Sequence, residues 1–344
     1  MKIVLAPDSF KECLDAPSVS RILADEIRRL RPAWTVIECP LSDGGECFVD
    51  IVTTALEGAR IPVRVSGPLG EPVDAFFGKA GETSVIDAAS ACGLSLVPLS
   101  FRNPWKATSR GVGELMVAAY RSGCRKLLVG LGGTATCDGG EGMMQAEGME
   151  ALRGNVSVDV LCDVDNPFVG PEGTARVFAP QKGADNAMVE QLEARMQRQA
   201  LRILEATGTD VSGLPGAGAA GGLAGALAAW FGARLSPGID TVLRYIGFES
   251  KAEGADWILT GEGCSDRQTL SGKVPTGVLR HAGNTPVALV SGRIRDREAL
   301  LEAGFATLVE VTPLEQPLSE AVRPEVVEMN LRAAVERWLT LLRP

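Results

Sequence analysis

Asp8, Asp43, Asp138, Asp163 and Asp266 each fall in a turn that follows an apolar run, and Lys11, Lys182 and Lys273 sit in turn-like segments with polar neighbours. Carboxylates placed this way can accept a hydroxyl proton or hold a divalent cation, and lysines can neutralise phosphate. The densest stretch is Gly130-Leu-Gly-Gly-Thr-Ala-Thr-Cys-Asp-Gly-Gly140, directly after Lys126-Leu-Leu-Val. Backbone N–H groups in such a turn can surround phosphate oxygens, with the hydroxyls of Thr134 and Thr136 as further donors. Pro40-Leu-Ser-Asp-Gly-Gly-Glu46 and Gly261-Glu-Gly-Cys-Ser-Asp-Arg-Gln-Thr-Leu-Ser-Gly-Lys273 repeat the theme, after Trp34 to Cys39 and Trp257 to Thr260. Ligands of open α/β sheets collect outside the carboxyl ends of strands, so these turns suggest one shared site. Each aspartate singly also suits a helix cap or an Asx-turn, and that structural role is expected for some of them. Arg110, in Thr108-Ser-Arg-Gly111, suits either a carboxylate ligand or an ion pair at a helix start.

The elements that must position these groups alternate. Lys2 to Ala6 reads as a strand and Ala16 to Leu30 as a helix, with Val19, Ile22, Leu23, Ile27 and Leu30 as its apolar stripe. Asp15 is its candidate cap, Pro17 suits its first turn and Pro32 stops it. Val36 to Cys39 follows as a strand, a β-α-β beginning that predicts a parallel sheet. Between Arg60 and Pro98 short runs broken by Gly and Pro read as a meander of strands. Asp185 to Thr207 reads as an amphipathic helix, α/β alternation returns from Ala255 to Val311, and a helix from about Pro324 to Leu342 closes the chain. The expected fold class is α/β. A Rossmann-like parallel-sheet domain, 1–58 with 245–344, is interrupted by an inserted α/β domain, 59–244.

Composition limits the function. A chain of 344 residues exceeds the usual single-core size, and 45% apolar residues support a real core. The net charge of −9 and the lack of a long basic cluster exclude a nucleic-acid surface. Eight scattered cysteines without a Cys-x-x-Cys pair speak against zinc, and Lys2 leads straight into a strand rather than a signal peptide. A cytoplasmic chain with reduced thiols is expected. Residues 211–233 carry no charge, but their Gly/Ala content reads as a buried helix rather than a membrane span. The single histidine, His281, lies outside every glycine turn, so carboxylates are the natural proton acceptors.

Two motif matches fail on context. Gly216-Ala-Gly-Ala-Ala-Gly221 fits the dinucleotide fingerprint by letter, but the required strand is replaced by Ser212-Gly-Leu-Pro. Gly272-Lys273 lacks the earlier glycine and the following Ser/Thr of a Walker loop. From residue types alone the chain reads as an α/β enzyme handling a phosphorylated ligand with metal.

Taken together the motifs resemble the bacterial type-1 glycerate kinases over nearly the whole chain. The segments that carry the resemblance are Ala6-Pro-Asp-Ser-Phe-Lys11, Pro40 to Glu46, Thr108-Ser-Arg-Gly-Val-Gly-Glu114 and Gly130 to Gly140. They continue with Cys162-Asp-Val-Asp-Asn-Pro167, Phe178-Ala-Pro-Gln-Lys-Gly-Ala184, Pro215 to Gly222 and Gly261 to Lys273. The resemblance implies ATP-dependent phosphorylation of D-glycerate to 2- or 3-phosphoglycerate with Mg²⁺, in the cleft between two α/β domains. The expected site has Asp43, Asp138, Lys273 and Lys11 as catalytic groups and Asp8, Ser9, Ser109 and Arg110 for the substrate. Gly132, Gly133, Thr134, Lys182, Glu262 and Gln268 are expected to hold phosphate or nucleotide, and Asp163 and Asp266 the metal. Cys137 stands where relatives often carry Asn, Cys264-Ser265 where many carry Arg and an aliphatic residue, and the link from Met149 to Val160 is short. An NAD-dependent hydroxyacid dehydrogenase and a non-catalytic glycerate or nucleotide sensor are the competing readings, and the oligomeric state is open between monomer and homodimer.

Overall fold

The computed structural model describes residues 1–10, 13–45 and 47–342, and Lys11 lies outside them. It divides into two compact units, Met1–Ile51 with Ile239–Pro344, and Val52–Gly238. The strands are β1 Lys2–Pro7, β2 Thr35–Glu38, β3 Ala59–Ser66, β4 Pro72–Ala80, β5 Thr83–Asp87, β6 Lys126–Gly130 and β7 Ser157–Leu161. They continue as β8 Arg234–Ser236, β9 Trp257–Gly261, β10 Cys264–Ser265, β11 Val287–Ser291, β12 Arg293–Ile294 and β13 Thr307–Glu310.

In the first unit, five strands in the order β13-β11-β9-β1-β2 form an all-parallel sheet. Its central strands β1, β9 and β11 are near-continuous apolar runs, as burial on both faces requires. Ile3 and Leu5 join a core with Val19, Leu23 and Ile27 of the helix Ala16–Leu30 and Leu331, Val335 and Trp338 of the helix Pro324–Leu341. Val4 and Ala6, equally buried, alternate onto the other face. The first helix starts where its sequence predicts: Asp15 accepts the Ser18 N–H at 2.8 Å, and a proline occupies its first turn. Because β1 pairs with β2 on one side and β9 on the other, the sheet order reverses between β1 and β9. Ligands bind at such switch points. The short pair β10–β12 extends the chain just beyond the ends of β9 and β11.

In the second unit the order is β3-β4-β5-β6-β7-β8. The pairs β3–β4 and β4–β5 are antiparallel, and β5 to β8 run parallel. The helix Arg110–Arg121 buries Val112, Leu115 and Met116 in this unit's core with Phe77, Ile86, Leu127 and Val129. The helix Asn186–Thr207, capped by Asp185 on the Met188 N–H, packs Leu192, Met196 and Ile203 around Phe168 and Cys137.

The uncharged run 211–233 differs from its expected single helix. It folds as turns, a 3₁₀ turn at Ala219–Gly222 and a helix confined to Leu223–Phe231. Gly216, Ala220, Gly221 and Gly222 take positive φ, which no continuous helix contains. Among the described residues no helix is long and apolar enough to cross a membrane.

Candidate active site

At the switch point of the first unit, the turns after β1, β9 and β11 enclose a cavity of about 340 Å³. One side is polar, with Asp8, Ser9, Glu262, Lys273, Arg293 and Thr312; the other is apolar, with Phe10, Val311 and Val327 among its walls. Glu262 organises the polar side. Its Oε2 receives Lys273 Nζ at 3.2 Å, while Oε1 receives the hydroxyls of Thr269 at 2.6 Å and Ser265 at 3.2 Å. Ser265 Oγ also lies 2.7 Å from Ser291 Oγ at the end of β11. The carboxylate is nearly closed off while 37% of the lysine side chain remains exposed, so the pair presents a fixed ammonium to the cavity.

The remaining acidic residues of this unit are more locally engaged. Asp8 Oδ1 accepts the Ser9 N–H at 2.7 Å, and Asp43 Oδ1 accepts the Gly45 N–H at 3.3 Å. Asp266 caps the short 3₁₀ turn Arg267–Leu270 through a reciprocal capping box with Thr269. Its Oδ1 takes the Gln268 N–H at 2.8 Å, and Gln268 itself is exposed. Cys264 is exposed on the cavity wall. His281 sits apart from the cavity, with its ring nitrogens 3.1 Å from Glu249 and 3.4 Å from Asp240.

In the second unit the glycine loop after β6 is built on Asp138. That buried carboxylate accepts four bonds: the Ser109 N–H at 2.8 Å, the Ser109 hydroxyl at 2.9 Å, and the Gly140 and Gly142 N–H groups at 3.1 Å. Ser109 Oγ in turn accepts the Met143 N–H at 2.9 Å. A Cβ on Gly142 would collide with Thr108 Oγ1 and crowd Asp138, so the close approach needs glycine there. Asp138 and Ser109 therefore hold the loop and launch the helix Arg110–Arg121. Arg110, at the exposed start of that helix, bonds Glu114 through Nε at 3.0 Å, and Glu114 also accepts the Ser66 N–H and hydroxyl.

Lys182 is buried rather than in reach of solvent. Its Nζ donates to Thr134 Oγ1 at 3.2 Å and to the Thr136 carbonyl at 2.8 Å, and burial pulls it below the ordinary lysine range. Gly132 and Gly133 are exposed at the tip of the same loop. Asp163, after β7, accepts the Gly238 N–H at 2.8 Å at the start of a helix. Cys137 is a core residue beside Phe168, and burial pushes its thiol up to about 11.

The first unit thus gathers Asp8, Ser9, Glu262 and Lys273, and the second gathers Ser109, Asp138, Thr134 and Lys182. Among the described residues, no three His, Cys, Asp or Glu side chains cluster to hold a metal ion. Sequence reading missed Arg293 and Thr312, although Ser291-Gly-Arg293 repeats the strand–glycine–polar pattern of Thr260-Gly-Glu262. The Gly216 segment follows turns and not a strand, so the dinucleotide fingerprint lacks its structural context.

The model of the glycerate kinase family matches residues 3–156 and 149–343. A glycerate kinase of Bacillus subtilis (strain 168) is 40% identical over 93% of this chain and 93% of its own length. A glycerate 2-kinase of Escherichia coli (strain K12) is 37% identical over 92% of this chain and 93% of its own. A solved chain from Salmonella typhimurium LT2, assigned as glycerate kinase 2, superposes with a TM-score of 0.89 at 37% identity, covering 99% of this chain and 98% of that one. The chain belongs to the glycerate kinase family.

Proposed function

We propose that this chain transfers the γ-phosphoryl group of ATP to a hydroxyl of D-glycerate, giving 2- or 3-phosphoglycerate with Mg²⁺, as a cytosolic enzyme of the bacterial type-1 branch. The observation that carries this reading is the Lys273 ammonium, fixed by Glu262 in a switch-point cavity of a glycerate kinase family member. Phosphoryl transfer asks mainly for positioning and charge neutralisation, and a lysine anchored at one end supplies both. Lys273 and Arg293 would face the phosphates from the polar side of the cavity. Arg110 would take the glycerate carboxylate through its two terminal nitrogens, from a helix start that Asp138 and Ser109 hold in place.

The donor set suits Mg²⁺, which binds through one or two carboxylates and completes its shell with water and substrate phosphate. Asp8, on the cavity wall, and Asp266, at the cap of the turn Arg267–Leu270, are the carboxylates that would hold it. When bound, the ion neutralises charge on the β- and γ-phosphates. Free cysteines support the cytosolic reading.

A coupled assay of ADP formation tests the proposal. D-glycerate should drive turnover that EDTA abolishes and excess Mg²⁺ restores, with lactate inert. ADP-free behaviour with every hydroxyacid, alongside intact glycerate or nucleotide binding, would instead make the chain a sensor.

A further inference from the structure

The two sides of the first unit's cavity come from different segments. Glu262, Lys273 and Arg293 stand in the stretches after β9 and β11, whereas the apolar wall comes from the turn after β1, the chain just past β13 and the approach to the last helix. Phe10 is fixed by its own turn: its N–H donates to the Leu14 carbonyl at 2.8 Å, and its carbonyl accepts the Cys13 N–H at 2.9 Å and the Leu14 N–H at 3.0 Å. Val311 is tied to the end of β11 through its N–H, 2.8 Å from the Ser291 carbonyl, and Thr312 donates to the Gly292 carbonyl at 3.1 Å. Val327, on the helix Pro324–Leu341, and Ala321 extend the wall, and Val322 lines it while 38% exposed. Thr312 therefore joins the apolar wall to the turn that carries Arg293. That arginine is anchored in its turn by the Gln316 carbonyl at 3.0 Å and Glu310 Oε1 at 3.4 Å.

A cavity of about 340 Å³ with apolar walls and a few placed polar groups has the make-up of a small-molecule site. Of the two substrates of the proposed reaction, glycerate carries oxygen on every carbon, and only the nucleotide has a broad flat face to bury. We infer that the apolar side of this cavity is the base subsite of the nucleotide: the purine of ATP packs against Phe10, Val311, Ala321, Val322 and Val327, and the polyphosphate passes Thr312 toward Arg293 and Lys273. The inference rests on the kinase reading above and concerns the first unit alone. The two ends of the ligand are held by different physics. The base gains from leaving water for an apolar wall, and the phosphates gain from the guanidinium and the ammonium. A change in the apolar wall should therefore weaken a ligand that has a base and spare one that has phosphates only.

The test compares ADP with inorganic pyrophosphate, each titrated calorimetrically into the unaltered full chain, Ala321→Leu and Val322→Asn. Leucine at 321 fills space that the base would take, and asparagine at the exposed position 322 makes the wall polar without adding charge. Ala321→Leu should weaken ADP at least about tenfold and Val322→Asn at least about threefold, with pyrophosphate within about twofold in both. In ADP-formation kinetics KM for ATP should rise with the ADP dissociation constant, and KM for glycerate should stay within about twofold. If Ala321→Leu fails to fold by circular dichroism, Val322→Asn carries the comparison, since its side chain is already part-exposed. ADP affinity unchanged in the folded variants, or ADP and pyrophosphate weakened alike, overturns the base subsite while leaving the kinase reading intact. An unaltered chain that forms no ADP from ATP and glycerate removes the kinase reading, and the calorimetric comparison, which needs no turnover, then judges the base subsite by itself.

Discussion

Lys273 and Glu262, eleven residues apart across a glycine-rich turn, meet at 3.2 Å with the carboxylate nearly buried and the ammonium part-exposed. Glu262 is held independently by Thr269 and Ser265. Removing the lysine therefore leaves the carboxylate with partners and the turn with its shape. Lys273→Ala should lower kcat for ADP formation by at least about 100-fold, the scale of losing one preorganised electrostatic donor. The thermal midpoint should move little, because a part-exposed ion pair contributes about 1 kcal/mol or less. Near-normal turnover at saturating ATP would remove Lys273 from the transfer step.

Arg110 offers a different signature. Its Nε is engaged with Glu114, but its terminal nitrogens have no hydrogen-bond partner among the described residues. Arg110→Leu should raise KM for glycerate at least about tenfold, matching loss of a charge-assisted contact of roughly 1.5–3 kcal/mol, with KM for ATP nearly unchanged. Steady-state kinetics with each substrate varied separately check this. Equal effects on both constants would make the arginine only a partner of Glu114.

Asp138→Asn should reduce activity by loosening the loop. An amide nitrogen would face N–H donors that the carboxylate now receives from Ser109 and Gly142. The expected cost is about 2–4 kcal/mol, read as a lower urea midpoint at unchanged m-value. Lost turnover with unchanged stability and an altered Mg²⁺ requirement would instead point to metal binding.

What the sequence makes legible is what is local. Asp15, Pro17 and Pro32 bound the first helix because capping and proline effects act within a turn. The same locality hides the role of Asp266: a capping aspartate and a metal ligand carry identical letters in identical turns. Lys182 reads as a surface phosphate ligand because nothing in Pro180-Gln-Lys-Gly183 reveals that the loop after β6 folds over it. Arg293 enters the cavity only because β11 lies next to β9, a pairing of strands about thirty residues apart that no motif encodes. The helix expected over 211–233 failed where its glycines adopt positive φ; Gly221 packs so tightly on the Thr136 carbonyl that a Cβ would collide with it.

Lys182 also makes stability depend on pH. Its ammonium is buried against Thr134 and the Thr136 carbonyl, and no carboxylate pairs with it among the described residues. Burial depresses its folded value below the ordinary 10.5 of the unfolded chain. Between those two values the unfolded state binds more protons than the folded one, so stability rises with pH across that window and levels above 10.5. Lys182→Met keeps comparable volume without a proton to bind, and should flatten this alkaline rise. Urea midpoints measured in steps from neutral pH to pH 10 for both chains read the effect of Lys182 together with that of the Cys92 and Cys137 thiols it acts on, while titrating groups remote from it are shared by the two chains. If the two chains keep parallel profiles throughout, the lysine retains its ordinary proton affinity and its burial carries no electrostatic cost.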